Sequence, residues 1–174
     1  MKYLFITLSY LITLTAAAAT QTLTTKYGRI FVPDIKGWEL GKNMFGMPFL
    51  YFSPQENGQR SNISFTNTGV DGELDLPSLG KNPELYHKMK KEWAETIDAK
   101  VLGFSPFRTW KNDQGHTVNE IGVEYTAHGK DYVEKSYYID CRGRLLYSKS
   151  LRLKANEKHT SEFESLVKKM DCGV

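Results

Sequence analysis

The sequence predicts an α+β domain: an antiparallel β-sheet with helices packed on both faces, an α/β/α sandwich. Three observations carry this. Residues 115–154 read as three consecutive strands, divided by the turn signals His128-Gly129 and Cys141-Arg142-Gly143, each holding the glycine that a positive-φ turn position favours. Two segments outside this meander, 83–98 and 161–170, carry apolar residues at helical spacing. Finally, both alternating faces of the meander mix apolar with small residues, where a sheet covered on one side would divide cleanly into apolar and polar.

The chain opens as a secretory signal peptide over residues 1–19. Lys2 supplies the positive start, an apolar run follows from Tyr3 to Leu14, and Ala17-Ala18-Ala19 offers the small residues that precede cleavage. The run is shorter than the ~20 residues of a membrane span and lacks a basic stop-transfer flank. No cysteine follows it for lipid attachment. Cleavage after Ala19 leaves residues 20–174 as one domain, large enough to bury a core. Only Lys2 is lost, so the net charge falls from +3 to +2. Charges of both signs are spread along the chain, without the concentrated basic face that nucleic acid requires. The expected location is periplasmic or extracellular, with no transmembrane anchor after signal removal. In an oxidising compartment the two cysteines, Cys141 and Cys172, favour a disulfide. Closing that loop is expected to stabilise the fold by roughly 3–4 kcal/mol on the chain-entropy model.

Residues 22–32 are rich in β-branched and aromatic side chains and read as one strand ending at Pro33, which cannot donate into a ladder. A turn over 33–36 leads to Gly37 and Trp38, and a large aromatic after a loop buries its area in the core. A strand is expected over 47–53 and a partner over 61–67, with Ile63 and Phe65 on one face. Between them and the first strand, 41–46 reads as a loop in which Met44 and Phe45 can form a contact surface. Asn62-Ile63-Ser64 matches the glycan acceptor pattern but sits inside a predicted strand.

Residues 69–81 read as a loop by their Gly, Asp and Pro content. Asn82 then caps a helix with Pro83 at its first position. Leu85, Met89, Trp93 and Ile97, with Tyr86 and Ala94 beside them, form the expected core stripe, leaving Lys88, Lys90 and Lys91 to solvent. Residues 101–111 are extended, with Pro106 pushing them to a sheet edge or a bulge. In the meander, Ile121, Val123 and Tyr125 oppose Glu120, Gly122 and Glu124. Val133, Tyr137 and Ile139 oppose Tyr132, Ser136 and Tyr138, and Leu145, Tyr147, Leu151 and Leu153 oppose Leu146, Ser148, Ser150 and Arg152. The last helix is expected to open on a capping box, Ser161 to Glu164, and to bury Phe163, Leu166, Val167 and Met170. Cys172 follows it directly, so a bond to Cys141 clamps helix to sheet.

No HExxH, CxxC, GxSxG or phosphate-cradling glycine loop occurs after residue 19, so no catalytic, cofactor-binding or metal-binding residue is assigned. His116 and Glu120 lie four apart on a strand, about 13 Å, too far to share a metal. Glu120, Glu124 and Glu134 offer one enzymatic alternative, paired carboxylates acting on an envelope polymer, with Lys130, Lys135 and Lys149 as competing cross-strand partners. A second alternative is a carrier of a small apolar ligand between sheet and helix. The meander tyrosines, among them Tyr132 and Tyr138, form either a half-buried strand lining or a protein-contact patch.

The order of elements now carries a resemblance. A strand ends in Pro33-x-x-x-Gly37-Trp38, a strand pair ends in Asn62-Ile63, and a mid-chain helix, a long meander and a closing amphipathic helix follow. This order resembles the PsbP/Mog1-like α/β/α sandwiches, including exported bacterial proteins of the domain-of-unknown-function 1795 type. The resemblance implies helices on both sides of an antiparallel sheet and a binding or assembly role, with no enzymatic residues; the two cysteines depart from its pattern. The expected function is an exported, non-catalytic module that contacts a protein or cell-envelope component.

Overall fold

The computed structural model describes residues 20–25, 28–44, 47–67 and 76–173. Residues 1–19, where a signal peptide is expected, Phe45 and most of the expected 69–81 loop lie outside them. The strands β1 (Thr20–Thr25) and β2 (Gly28–Pro33) are followed by β3 (Glu39–Met44), β4 (Met47–Phe52) and β5 (Asn62–Asn67). Helices α1 (Leu76–Lys81) and α2 (Glu84–Thr96) lead to β6 (Lys100–Lys111), β7 (Thr117–Ala127), β8 (Lys130–Asp140) and β9 (Leu145–Leu153). The chain closes with α3 (Lys158–Lys169) and the two-residue β10 (Asp171–Cys172). One antiparallel sheet of seven strands runs β3-β4-β5-β9-β8-β7-β6, and a smaller one runs β1-β2-β10.

The meander forms as its alternation predicts. His128 and Gly129 both take positive φ, +50° and +71°, the geometry of a two-residue hairpin turn whose twist matches its strands. That turn sets the register Ala127↔Lys130 through Thr117↔Asp140. With register set, period-two geometry sends each side chain to one of two layers. Val118, Tyr137, Ile139 and Leu146 meet Phe163, Leu166 and Val167 of α3 and Met170 just after it, together with Phe49, Phe65 and the small sheet's Ile30 and Val32. On the opposite face Ile121 and Tyr138 meet Tyr86 of α2 and Leu76 and Leu79 of α1. Helices therefore cover both faces, as expected.

Several local expectations hold. The Asn82 carboxamide oxygen accepts the Glu84 N–H at 3.2 Å, capping α2 ahead of Pro83. Pro106 falls in a register shift between Ser105 and Arg108 on the sheet's terminal strand. Trp38 is half-buried, edge-on to His159 at 5.3 Å and to Phe163 at 5.4 Å. Cys141 and Cys172 are bonded, with their Cα atoms 5.6 Å apart.

Others are corrected. The single strand expected over 22–32 is a hairpin, β1 paired with β2 from Thr20↔Pro33 to Thr25↔Gly28, because both halves are equally β-prone and composition does not mark the reversal. The expected 41–46 loop contributes residues to β3, where pairing such as Gly41↔Leu50 overrides weak propensity. Residues 76–81, placed in a loop, form α1. The capping box does not form: α3 starts at Lys158, and the Ser161 hydroxyl donates to the Lys158 carbonyl within the first turn at 2.8 Å. The α2 stripe is rotated, leaving Leu85 and Met89 67% and 57% exposed. Tyr86, Lys90, Trp93 and Ala94 face the sheet instead. Lys90 reaches the buried Glu134 carboxylate while lying 4.8 Å over the Trp93 ring, so one rotation neutralises a buried charge and buries two aromatic rings.

Two predictions follow from this packing. Reducing the disulfide, whose cysteines are 31 residues apart, is expected to lower unfolding free energy by roughly 3–4 kcal/mol. Urea titration with and without reductant measures this, and coincident curves contradict it. His159 is 1% exposed, with Nδ1 2.7 Å from the Ser61 hydroxyl. Burial lowers its pKa below 6.5, against the opposing Glu162 and Glu56 carboxylates. The unfolded chain therefore takes up that proton first as pH falls, so stability is full above 6.5 and declines below it. His159→Gln is expected to lose less stability than the parent between about pH 7.5 and about pH 5.5; equal losses would contradict the assignment.

Candidate functional site

Candidate chemistry collects where α3 ends against the β6–β7 hairpin. A helix terminus leaves its last carbonyls without intrahelical partners. Here the hairpin turn supplies them. The Asn112 amide nitrogen donates to the carbonyls of Met170 at 2.9 Å and Val167 at 3.3 Å, and the Asp113 N–H donates to the Lys168 carbonyl at 2.9 Å. The Asn112 oxygen in turn accepts the N–H groups of Gln114 and His116, so one buried side chain shapes the turn and holds the helix. This clamp sets Lys168 and Lys169 beside the end of β6.

Below them lies Glu120, 3% exposed on β7. Register pairs it with Arg108 of β6, whose Nε and Nη2 donate to the same carboxylate oxygen at 3.2 and 2.5 Å. Trp110 Nε1 donates to the other oxygen at 2.9 Å, and the Lys135 ammonium lies 3.5 Å away while donating to Glu164 at 2.8 Å. Hydrogen bonding to Glu120, then its charge, raises the Arg108 pKa further. Three hydrogen bonds and an ion pair thus hold the carboxylate in place, which makes it a structural anion that orients Arg108 and Trp110. An open groove of about 720 Å³ runs above it, bordered by residues 108–111 of β6 and by Ser161, Ser165, Lys168 and Lys169 of α3. Across the same stretch of β6, on the opposite face, a second groove of about 680 Å³ is bordered by Leu76, Gly80, Phe107, Asn119, Asp140 and Leu145.

The sequence-assigned residues fall elsewhere. Met44 is 38% exposed at the end of β3, the far edge of the sheet from β6. Tyr132 is half-buried and stacked on Tyr125 at 5.4 Å between centroids. Tyr138 is 8% exposed, tilted against Tyr147 and covered by Tyr86, so it belongs to the core and offers little surface for contact. Met44, Tyr132 and Tyr138 are not brought together. The three acids are not brought together either. Glu134 shares a face with Val123 and pairs with Lys90 and Lys149, whereas Glu120 and Glu124 project from the other face, four residues apart. Glu124 is held by Lys154 at 2.8 Å. The paired-carboxylate arrangement is therefore absent. Among the described residues no group of three potential metal ligands converges. Arg108 and Trp110 were missed as site residues, although counting back from the 112–115 turn puts Arg108 opposite Glu120.

A seven-stranded antiparallel sheet between helices defines the class, an α/β/α sandwich, and solved structures place it more closely. The chain has the PsbP-like fold. It is similar to cyanobacterial PsbP (CyanoP) from Synechocystis sp. PCC 6803, with a TM-score of 0.57 and 11% identity over 91% of this chain and 95% of that one. It is also similar to LpqN, involved in cell envelope biogenesis of Mycobacterium tuberculosis, with a TM-score of 0.55 and 11% identity over 83% of each chain. No protein-family model matches the chain, and no curated protein sequence does. Among the described residues no helix is long and apolar enough to cross a membrane.

Asn112 makes four side-chain hydrogen bonds while 5% exposed, so Asn112→Ala is expected to destabilise by about 3 kcal/mol through orphaned carbonyls and a released turn. Asn112→Asp, which keeps the acceptors and loses the donors, is expected not to rescue it. Urea unfolding compares the three proteins, and a stable Asp variant would contradict the capping role.

Proposed function

We propose that this chain is an exported, non-catalytic binding module that contacts a protein or cell-envelope component through the groove between β6 and α3. The observation that carries this reading is Glu120. It is a buried carboxylate at the base of an open groove in which cations outnumber acids, and its hydrogen bonds from Arg108 and Trp110 and its ion pair with Lys135 commit it to positioning donors. A surface of this kind recognises charge and shape. Export is supported by the signal-peptide pattern of residues 1–19 and by the disulfide. An envelope partner accords with LpqN, a fold neighbour involved in envelope biogenesis. Carriage of a small apolar ligand is less well supported, because Phe49, Phe65, Phe163 and Leu166 fill the layer beneath α3 at 2% exposure or less.

The exported protein is expected to have an intact mass that starts at Thr20. Used as bait against its own cell-envelope fraction, it is expected to retain one reproducible partner, with retention falling at least tenfold in Lys168→Gln/Lys169→Gln. Repeated capture of nothing by the parent protein overturns the reading, as does retention of the same partner at full strength by the double variant.

A further inference from the structure

We propose that the outer edge of β6 at residues 108–111 is a strand-addition site for an extended partner segment in which acidic and apolar side chains alternate. This rests on the binding-module reading and specifies how the module binds. Among the described residues β6 is the terminal strand of the large sheet and pairs only with β7. The Asn112 N–H donates to the His116 carbonyl at 3.0 Å, and antiparallel pairs exchange bonds at every second residue. Trp110 and Arg108 therefore direct their backbone groups toward β7, while Thr109 and Lys111 direct theirs outward. Among the described residues no strand takes up those outward groups. The bulge at Pro106 and Phe107 ends the regular edge on one side and the 112–116 turn ends it on the other, leaving residues 108–111, about 13 Å of regular edge at ~3.3 Å per residue.

The two grooves give this edge its selectivity. Thr109 borders both of them. A strand laid along the edge alternates its side chains between the two faces, so one set enters the groove beside α3 and the other enters the groove beside α1. On the α3 side, the lining carboxylates Glu120 and Glu164 are already met by Arg108 and Lys135, and Asp113 is the remaining lining acid against Lys111, Lys168 and Lys169, which make no ion pair among the described residues; the excess of cations favours carboxylates. On the α1 side, half-buried Leu76, Phe107 and Leu145 favour apolar side chains. A second copy of this chain fits poorly, since edge-to-edge pairing sets Arg108, Lys111, Lys168 and Lys169 against their own equivalents. The occupant is an acidic, alternating segment of another protein.

The probe is a fluorescent synthetic peptide of alternating glutamate and valine, followed by anisotropy against the mature protein. Three controls accompany it: the same peptide N-methylated at alternate amides, a peptide of equal composition with its glutamates in one block, and oligoglutamate. Thr109→Pro removes one outward N–H without touching the β7 ladder. The alternating peptide is expected to bind the parent, at least tenfold more weakly after N-methylation, with Thr109→Pro, and with Lys168→Gln/Lys169→Gln. Amide hydrogen exchange at Thr109 and Lys111 is expected to slow on binding, which decides the matter even if Thr109→Pro does not fold. Equal binding of the block peptide or oligoglutamate overturns the proposal in favour of nonspecific attraction, and unslowed exchange or no peptide binding overturns it as well. Exchange protection at Thr109 and Lys111 that appears with protein concentration alone would mark a second copy as the occupant and overturn it too. If the envelope partner is retained equally by a folded Thr109→Pro variant, the module reading stands and this edge is not its site; if nothing is retained by the parent, the module reading itself falls.

Discussion

The structure turns on the carboxyl end of α3, where a helix must satisfy carbonyls that its own backbone cannot. Asn112 and the Asp113 N–H satisfy them from the β6–β7 hairpin. Two residues after the helix the chain pairs with β2 through β10, and Cys172 is bonded to the β8–β9 hairpin through Cys141. Within a few residues, one helix end is thus joined to two hairpin turns and to the small sheet. The helix's packing angle over the large sheet follows from those attachments, and with it the position of Lys168 and Lys169.

A second constraint acts through the sheet itself. Burial on both faces leaves few positions for an unpaired charge, because a carboxylate removed from water must be met by cations or donors. Glu120 and Glu134 are both buried, on opposite faces, and each is paired by groups from neighbouring elements: Arg108, Trp110 and Lys135 for one, Lys90 and Lys149 for the other. The rotation of α2 belongs to the same account. Turning Leu85 and Met89 to the core would turn Lys90 away from Glu134. Charge satisfaction and aromatic burial together outweigh the two aliphatic side chains left in water.

These constraints move the centre of interest from the meander to its border. The meander tyrosines and acids have the composition of a functional surface, yet most are committed to core packing or ion pairs. What stays accessible is the rim where β6 ends: a backbone edge that no strand takes up among the described residues, two grooves, and Lys168 and Lys169, which make no ion pair among them.

Much of the architecture was legible from the chain because strand and helix periods act locally. The turn signals at His128-Gly129 and Cys141-Arg142-Gly143 set the register, alternation divided the apolar residues of each meander strand between two faces, and the α3 stripe was read correctly from Phe163 to Met170. The disulfide followed from compartment and cysteine count. The β1–β2 reversal was hidden because β-branched residues run through both strands, and β3 was hidden because its strand character comes from pairing with β4 rather than from Gly41, Lys42 or Asn43. Part of the site was legible as well, since hairpin counting opposes Arg108 to Glu120. The rest was decided only by tertiary structure. Which face α2 turns inward, which cations meet each buried carboxylate, and which lysines stand over the edge of β6 all depend on contacts between elements distant in sequence, where burial and charge pairing are settled by three-dimensional position and not by local pattern.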